Sequence, residues 1–275
     1  MSDFEKLLTD EQKKNLSSSH GILVVNGDRY YYKYCDNFRL KGKSIPIYGV
    51  EELMEELAKS VGINSAHYEL ANIDGSYYTF SKEISPFFDT GEKLGIEAHS
   101  LYNIWNELEK KKYNNTYDLM LNFIRMYLFD LLFLNGDRES DNWGIVSEKG
   151  NAELYILDNE FSFDDFYPPQ LTAHPEDDYY SHKGGFYAMY GDESNTCSSE
   201  LYLEELEYFL NGTGKEYTEV FMDMYNKLTP EFVYEKILEI EENNNKKMPH
   251  LHSRLNIYEG YYKEISKLLN NKKKK

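Results

Sequence analysis

The sequence predicts an α+β fold with two lobes, a small β-rich N-terminal lobe and a mainly helical C-terminal lobe. The first third of the chain contains short β-branched and aromatic runs separated by turn residues, whereas apolar residues at helical spacing dominate the remainder. The chain of 275 residues is longer than an average domain and has no Pro/Gly/Ser-rich linker that would separate independent domains. We therefore expect one two-lobed unit, with residues 1–84 forming the N-terminal lobe and residues 85–275 the C-terminal lobe.

The N-terminal lobe is predicted mainly from a hairpin pattern. Residues 21–25 and 29–34 are β-rich and flank residues 26–28, where Asn-Gly indicates a hairpin turn because it tolerates positive φ. The other predicted elements of this lobe are a helix over residues 4–16, a helix over residues 50–61 that ends at Gly62, and a strand pair around residues 72–75.

The C-terminal lobe is predicted from helical periodicity. Apolar residues recur at helical spacing over residues 116–134 and extend around the circumference, which indicates a buried helix. Arg125 and Asp130 interrupt this run, and a membrane span is not expected because each charge costs roughly 2.5 to 3.5 kcal/mol in a bilayer. A β-hairpin over residues 143–146 and 154–157 follows. Further helices are predicted over residues 200–210, 217–228, 230–240 and 251–269.

A polar segment between the long helix and the hairpin has the composition of a site for phosphoryl transfer. It contains Asp137 and, five residues later, Asn142, while a second carboxylate, Asp158, follows the hairpin. Asp137 is suited to accept a substrate hydroxyl proton, and Asn142 and Asp158 offer the oxygen ligands that Mg²⁺ prefers. Asp-rich loops are also common solvated turns, but here the flanking helix and hairpin would bring the three side chains together. The sequence therefore predicts a kinase active site that uses ATP and Mg²⁺.

The N-terminal lobe supplies candidates for binding the nucleotide. Lys33 lies in the second predicted strand, where a lysine among apolar residues is costly unless it is paired. In a kinase such a lysine contacts ATP phosphates and pairs with an acidic residue on the next helix. Glu51 is the first choice for that acidic residue, and Glu55, one turn later, is the second. The alternative is an edge-strand lysine that points into water.

Two loops are expected to contact the nucleotide. The small residues before the first strand expose backbone N–H groups that are suited to cradle phosphates, although a plain linker is equally compatible with them. The segment after the strand pair is predicted to be the connection between the lobes, where backbone groups meet adenine. The residues assigned to these two loops are Ser18, Ser19 and Gly21 in the first, and Ser81, Lys82 and Glu83 in the second.

The composition restricts the partners and the compartment. A formal net charge of −18 weighs against direct nucleic-acid binding, because phosphate backbones attract basic surfaces and repel acidic ones. Residues 1–16 are charged and amphipathic, unlike a signal peptide or a membrane anchor. Cys35 and Cys197 form neither a metal-binding spacing nor a disulfide framework, which suits a reducing compartment. We therefore expect a cytoplasmic protein without a membrane partner.

Taken in order, these segments resemble the HipA-like and CtkA-like branch of the protein-kinase-like superfamily, which are bacterial serine/threonine kinases related by fold to phosphatidylinositol kinases. The resemblance implies ATP- and Mg²⁺-dependent phosphorylation of a protein Ser/Thr hydroxyl. Some relatives autophosphorylate a serine of the phosphate loop, and some are toxins held by an antitoxin, so an antitoxin or another regulatory protein is an implied partner. The resemblance is carried by residues 31–34, 51–62, 67–70, 135–138, 142–144 and 157–159.

Two residues depart from the pattern of these relatives. Glu139 stands where His often follows Asp-Arg, and Glu160 stands where Gly usually follows Asp-Asn. Both positions are near the predicted metal and phosphates, so the extra negative charge is expected to lower ATP affinity or to recruit another cation. Two alternative functions follow, a nucleotide-binding pseudokinase that acts as a scaffold and a small-molecule kinase that acts on a sugar or an alcohol. The presence of Asp137 favours catalysis.

Overall fold

The computed structural model contains two four-stranded sheets and a two-stranded sheet within the residues that it describes, which are 3–17, 19–36, 38–40, 43–96, 100–163, 169, 171–175 and 198–272. The strands are β1 (His20–Val25), β2 (Asp28–Tyr34), β3 (Phe38–Leu40), β4 (Lys43–Ile45), β5 (Asn64–Ser65), β6 (Tyr68–Ile73), β7 (Ser76–Lys82), β8 (Phe88–Thr90), β9 (Trp143–Glu148) and β10 (Asn151–Ile156). The α-helices are α1 (Asp10–Lys14), α2 (Val50–Ser60), α3 (Leu101–Lys111), α4 (Thr116–Phe133), α5 (Ser198–Asn211), α6 (Thr218–Lys227), α7 (Pro230–Asn243) and α8 (Pro249–Lys272). This α+β architecture, with strands concentrated before residue 91 and helices after residue 198, confirms the predicted fold class.

The N-terminal sheet is antiparallel, with strand order β1-β2-β7-β6. Its two hairpins turn at Asn26-Gly27 and at Asp74-Gly75, and all four residues have positive φ, between 53° and 93°. Consecutive positive φ values match the right-handed twist of the flanking strands and are favoured by Asn-Gly and Asp-Gly. The predicted hairpin and the predicted strand pair are therefore both confirmed.

The two faces of the N-terminal sheet have different environments. On one face, Tyr32 and Phe80 pack with Phe4, which belongs to a 3-10 helix over Asp3–Leu7. Because side chains alternate along a strand, Tyr31 and Lys33 of β2 point to the opposite face. The sheet thus buries Tyr32 in a small core and leaves Lys33 on the face that a ligand can reach.

The predicted helix over residues 4–16 is wrong, because this segment forms two shorter pieces. The 3-10 helix ends before Thr9, and Thr9 is the N-cap of α1. The Thr9 hydroxyl accepts a hydrogen bond from the backbone N–H of Gln12, and the Gln12 side chain accepts one from the N–H of Thr9. This reciprocal capping box starts a new helix at this point and prevents a continuous one.

The second sheet has the strand order β5-β10-β9-β8. Its central hairpin β9-β10 is the one predicted from the sequence, and it turns at Lys149-Gly150 with positive φ. The sequence analysis did not identify β5, which pairs in parallel with β10, or β8, which pairs with β9. The predicted long helix corresponds to α4, which is buried along its second half and packs against β10. Helix α4 therefore lies along the hairpin, and the loop after α4 leads into β9.

The C-terminal helices surround the large core. The four helices predicted after residue 200 correspond to α5, α6, α7 and α8, whereas α3 was not predicted. Helix α2 packs against α7, and Leu53 and Leu57 of α2 lie in the same buried cluster as Ile237 and Ile240. Gly62 follows the C-cap of α2 with a φ of 77°, as expected for a glycine that ends a helix. Within the described ranges, no helix combines the length and the apolar character needed to span a membrane.

A first prediction concerns the small core of the N-terminal sheet. Phe4 is 1% exposed, and its ring centroid lies 4.4 Å from that of Phe80 and 4.9 Å from that of Tyr30. Phe4→Ala should lower the free energy of unfolding by about 3 to 5 kcal/mol, since it leaves a cavity among aromatic rings. Tyr117→Ala, at a position that is 75% exposed, is the control and should change stability by less than about 0.5 kcal/mol. Urea denaturation measures both, and equal effects of the two variants would contradict this packing.

Candidate active site

A cavity of about 1180 Å³ lies between the exposed face of the N-terminal sheet and the loops beside the β9-β10 hairpin. Small-molecule sites in proteins typically occupy roughly 300 to 1,000 Å³, so a nucleotide fits within this space. Most of the predicted site residues line the cavity, whereas Asp137 and Ser19 do not appear in its lining. The predicted residues that line it are Gly21, Lys33, Glu51, Ser81, Lys82, Glu83, Asn142 and Asp158.

The loop between α4 and β9 is organised by a buried ion pair. The Arg138 guanidinium donates two hydrogen bonds of 2.9 Å to the carboxylate of Asp130, which lies in the last turn of α4. It also donates to the backbone carbonyls of Asn142 and Leu157 and to the side-chain oxygen of Asn159. Arg138 and Asp130 are both 3% exposed. One side chain therefore joins the end of α4, the start of β9 and the segment after β10.

The same loop brings Asp137 and Asn142 together, as predicted. The side-chain nitrogen of Asn142 donates to the Asp137 carbonyl at 2.7 Å and to the Asp137 carboxylate at 3.2 Å. The backbone N–H of Asp137 donates to the side-chain oxygen of Asn135, whose own amide nitrogen donates to Asp130. Because these contacts use the nitrogen of Asn142, its amide oxygen is the atom suited to bind a cation.

The electrostatic environment of Asp137 is unusual for a carboxylate. Burial raises the pKa of Asp137 to about 7, and the negative charges of Asp158, Glu139 and Glu160 act in the same direction. The positive charge of Arg138 opposes them. A general base works best with a pKa near the working pH, so this environment suits proton transfer from a hydroxyl group.

The segment that carries Asp158 is held by backbone hydrogen bonds to side chains. Asp158 has a φ of 46°, a left-handed conformation that non-glycine residues seldom adopt. Its N–H donates to the Tyr68 hydroxyl at 3.0 Å, and the next N–H, of Asn159, donates to both carboxylate oxygens of Glu51 at 2.9 and 3.1 Å. Glu55, the second candidate on α2, accepts the backbone N–H of Tyr68. Glu51 therefore holds the backbone next to Asp158 directly, and Glu55 acts on the same segment through Tyr68.

Lys33 lies in β2 as predicted, but its ion pairs differ from the predicted one. Its ammonium group lies 3.0 Å from an oxygen of Asp158 and 2.7 Å from an oxygen of Glu160. The expected pair with Glu51 is replaced because the Glu51 carboxylate is engaged by the Asn159 N–H. Burial alone would lower the pKa of Lys33, but the charges of Asp158 and Glu160 outweigh it and hold that pKa above its ordinary value.

Glu160 adds a buried carboxylate to the predicted metal site. It is 3% exposed, and its Oε2 atom has no hydrogen-bond partner within the described structure. One carboxylate oxygen from each of Glu51, Asp158 and Glu160 lies within 4.8 Å of the other two. Burial and the neighbouring carboxylates raise the pKa values of Glu51 and Glu160. A set of carboxylate and amide oxygens fits a hard divalent cation such as Mg²⁺.

The loop before β1 is tied to the N-terminal sheet. Ser18 lies outside the described residues, while the Ser19 hydroxyl contacts the ring of His20 at 3.0 Å. The Ser17 N–H donates to the hydroxyl of Tyr32. That hydroxyl also accounts for Gly21, because a β-carbon at residue 21 would lie 2.5 Å from it. Packing against Tyr32 therefore explains why residue 21 is a glycine. Phosphate binding by this loop stays a prediction.

The predicted connection between the lobes lies at the end of β7 and along the edge of the cavity. Lys82 forms an exposed ion pair with Asp28, at 2.7 Å, and Glu83 forms one with Arg29, at 3.2 Å. Ser81 pairs with Tyr31 in the sheet register. Ser81, Lys82 and Glu83 all line the cavity. Contact of this segment with adenine stays a prediction.

The residues that position the site were not predicted from the sequence. They are Arg138, Asn159 and Tyr68, which bind the backbone or side chains around Asp158 and Asn142. One signal was present for the main pair, because a charged residue inside the apolar run of α4 must find a partner, and Asp130 is such a residue. Arg138, eight positions later, is that partner.

The fold is of the two-lobed protein-kinase-like class. The chain is similar to the crystal structure of the Helicobacter pylori proinflammatory kinase CtkA, with a TM-score of 0.54, 13% identity, and coverage of 90% of this chain and 95% of that one. It is also similar to a chain of the Shewanella oneidensis MR-1 toxin–antitoxin complex of HipA, HipB and operator DNA, with a TM-score of 0.59, 14% identity, and coverage of 91% of this chain and 64% of that one. No family model and no curated protein sequence matches the chain. At these identities the likeness establishes the fold, which agrees with the resemblance found in the sequence.

A second prediction tests the buried ion pair. Arg138→Met should lower the free energy of unfolding by about 3 to 5 kcal/mol, because it leaves the Asp130 carboxylate buried without its cation. Lys110→Met breaks the exposed pair between Lys110 and Glu107 and should cost no more than about 1 kcal/mol. Chemical denaturation of both variants gives the comparison. A loss below 1 kcal/mol for Arg138→Met would show that this pair does not hold the loop.

Proposed function

We propose that the protein is an ATP- and Mg²⁺-dependent kinase of the HipA-like type that phosphorylates a Ser or Thr hydroxyl on a protein. The observation that carries the proposal is the hydrogen-bonded pair of Asp137 and Asn142. Its member Asn142 lines a cavity of nucleotide size together with the ion-paired Lys33 and Asp158. A proton acceptor, an amide ligand, an anionic ligand and a phosphate-binding cation are the groups that phosphoryl transfer from ATP requires.

Each side chain has a role in this mechanism. Lys33 would turn from Asp158 and Glu160 to the phosphates, and Asn142 and Asp158 would hold the metal. When bound there, Mg²⁺ would supply positive charge against the phosphate oxygens. Asp137 orients the substrate hydroxyl and accepts its proton as the hydroxyl oxygen bonds to the γ-phosphorus and the bond to ADP breaks. Glu51 acts on the metal-binding segment through the Asn159 N–H.

The partner that we propose is a protein. The similar HipA structure is a complex with HipB and operator DNA, and we propose by analogy that a regulatory protein of antitoxin type binds this chain. The net charge of −18 disfavours direct contact with a nucleic-acid backbone. A second candidate function is a nucleotide-binding scaffold, and the engagement of Lys33 by two carboxylates favours it.

A third prediction uses nucleotide and metal together. ATP should raise the melting temperature only when Mg²⁺ is present, because Asn142 and Asp158 reach the phosphates through the ion. Ligand linkage gives about 2.7 kcal/mol at one hundred times the dissociation constant. Thermal shift assays with ATP, with Mg²⁺ and with both, and with EDTA as the metal-free control, make the measurement. Identical shifts by ATP with and without Mg²⁺ would contradict the assigned metal ligands.

A fourth prediction separates chemistry from binding. Asp137→Asn should retain ATP binding and lower phosphoryl transfer by roughly 10² to 10⁴, the usual contribution of a positioned base. Asp158→Asn should weaken Mg²⁺·ATP binding because an anionic metal ligand is lost, and Lys33→Ala should impair both binding and rate. Asp118→Asn makes the same chemical change at an exposed position of α4 and should leave both unchanged.

The measurement is incubation with labelled ATP and Mg²⁺, followed by intact mass and by label transfer to added protein substrate. Phosphate on the chain or on the substrate supports the kinase. Full activity of Asp137→Asn would exclude the proposed mechanism. Nucleotide binding without any phosphoryl transfer by the unmodified protein would support the scaffold instead.

A further inference from the structure

We propose that Glu160 and Asp158 together bind a divalent cation in the absence of nucleotide, at the position that the Lys33 ammonium group occupies in this structure. The inference deepens the proposed function and rests on its metal ligand Asp158. It adds Glu160 as a ligand beyond Asn142 and Asp158. It also states that Lys33 and the cation compete for the same two carboxylates.

The first support is the geometry around Lys33. The ammonium nitrogen lies 3.0 Å from Asp158 Oδ2 and 2.7 Å from Glu160 Oε1, so a single positive charge bridges the two carboxylates. Carboxylates that converge on one ammonium group are also arranged to converge on one metal ion. Such ions bind carboxylate oxygens at about 2.0 to 2.6 Å, a smaller separation that modest side-chain movement provides.

The second support is the unused oxygen of Glu160. The side chain is 3% exposed, and Oε2 has no hydrogen-bond partner among the described residues. A buried carboxylate oxygen normally accepts a hydrogen bond or binds a cation. The lysine satisfies one oxygen of this carboxylate, and a divalent ion bound to both oxygens would satisfy the second.

The third support is the balance of charge. Glu51, Asp158 and Glu160 offer oxygens within 4.8 Å of one another, and the cations that face Glu160 are Lys33 and Arg254. When Lys33 turns to the phosphates of a nucleotide, Asp158 and Glu160 lose their bridging charge. A divalent cation at the same position restores it, so the lysine becomes available to the phosphates while the half-exposed Asp158 and the buried Glu160 keep a cation between them.

The test is titration of the full chain with Mn²⁺ in the absence of nucleotide, followed by isothermal calorimetry and by electron paramagnetic resonance of free Mn²⁺. We expect one site in the unmodified protein and a loss of affinity of at least about tenfold in Glu160→Gln, which keeps the shape and removes the charge. Glu148→Gln removes the same charge from an exposed position at the turn of the β9-β10 hairpin and should change affinity by less than about twofold.

A second variant is expected to raise the affinity for Mn²⁺. Lys33→Met removes the competing ammonium group and should bind Mn²⁺ more tightly than the unmodified protein. This result tests the competition between Lys33 and the cation even if Glu160→Gln does not fold. Absence of nucleotide-free Mn²⁺ binding, equal losses in Glu160→Gln and Glu148→Gln, or weaker binding by Lys33→Met would each overturn the proposal. The kinase proposal would survive these results, because it requires metal binding only together with ATP.

Discussion

The buried contact between Arg138 and Asp130 is the interaction on which the arrangement of the site depends. Burying an ion pair carries a desolvation cost, and this cost is offset only when the remaining donors and acceptors are also satisfied. Arg138 meets that condition by reaching two backbone carbonyls and the side chain of Asn159 in addition to Asp130. An apolar residue at position 138 would leave these oxygens without a donor, so the charge is needed for local geometry rather than for stability alone.

Helix α2 has a similar connecting role on the other side of the site. Three of its acidic residues, Glu51, Glu52 and Glu55, accept backbone N–H groups from Asn159, Leu70 and Tyr68. These acceptors satisfy N–H groups of β6 and of the segment after β10, which would otherwise lack partners. The apolar side of α2 packs against α7. Strand β6, the segment that carries Asp158 and the C-terminal helices therefore meet at α2.

The parts of the fold that were predicted from sequence have local signals. The Asn-Gly and Asp-Gly turns and the apolar periodicity of α4 specify their structures over a few consecutive residues. Strand β5 has two residues, too few for any periodicity, and it exists because β10 lies beside it. The partner of Lys33 could not be deduced for the same reason. Several acidic residues were available in the sequence, and the choice among them depends on which carboxylate the Asn159 N–H already engages.

The register of β2 determines which side chain faces the cavity. Lys33 lies opposite Thr79 of β7, and its neighbour Tyr32 lies on the face of the small core. Because the side-chain period of a strand is two, a slip of one residue would exchange them, placing the lysine in the aromatic core and the tyrosine in the cavity. The length of the Asn26-Gly27 turn sets the register of β2 on its other side, against β1, where Lys33 lies opposite His20. During divergence of such a chain, insertions of one residue in that distant turn would thus be far more disruptive than insertions of two.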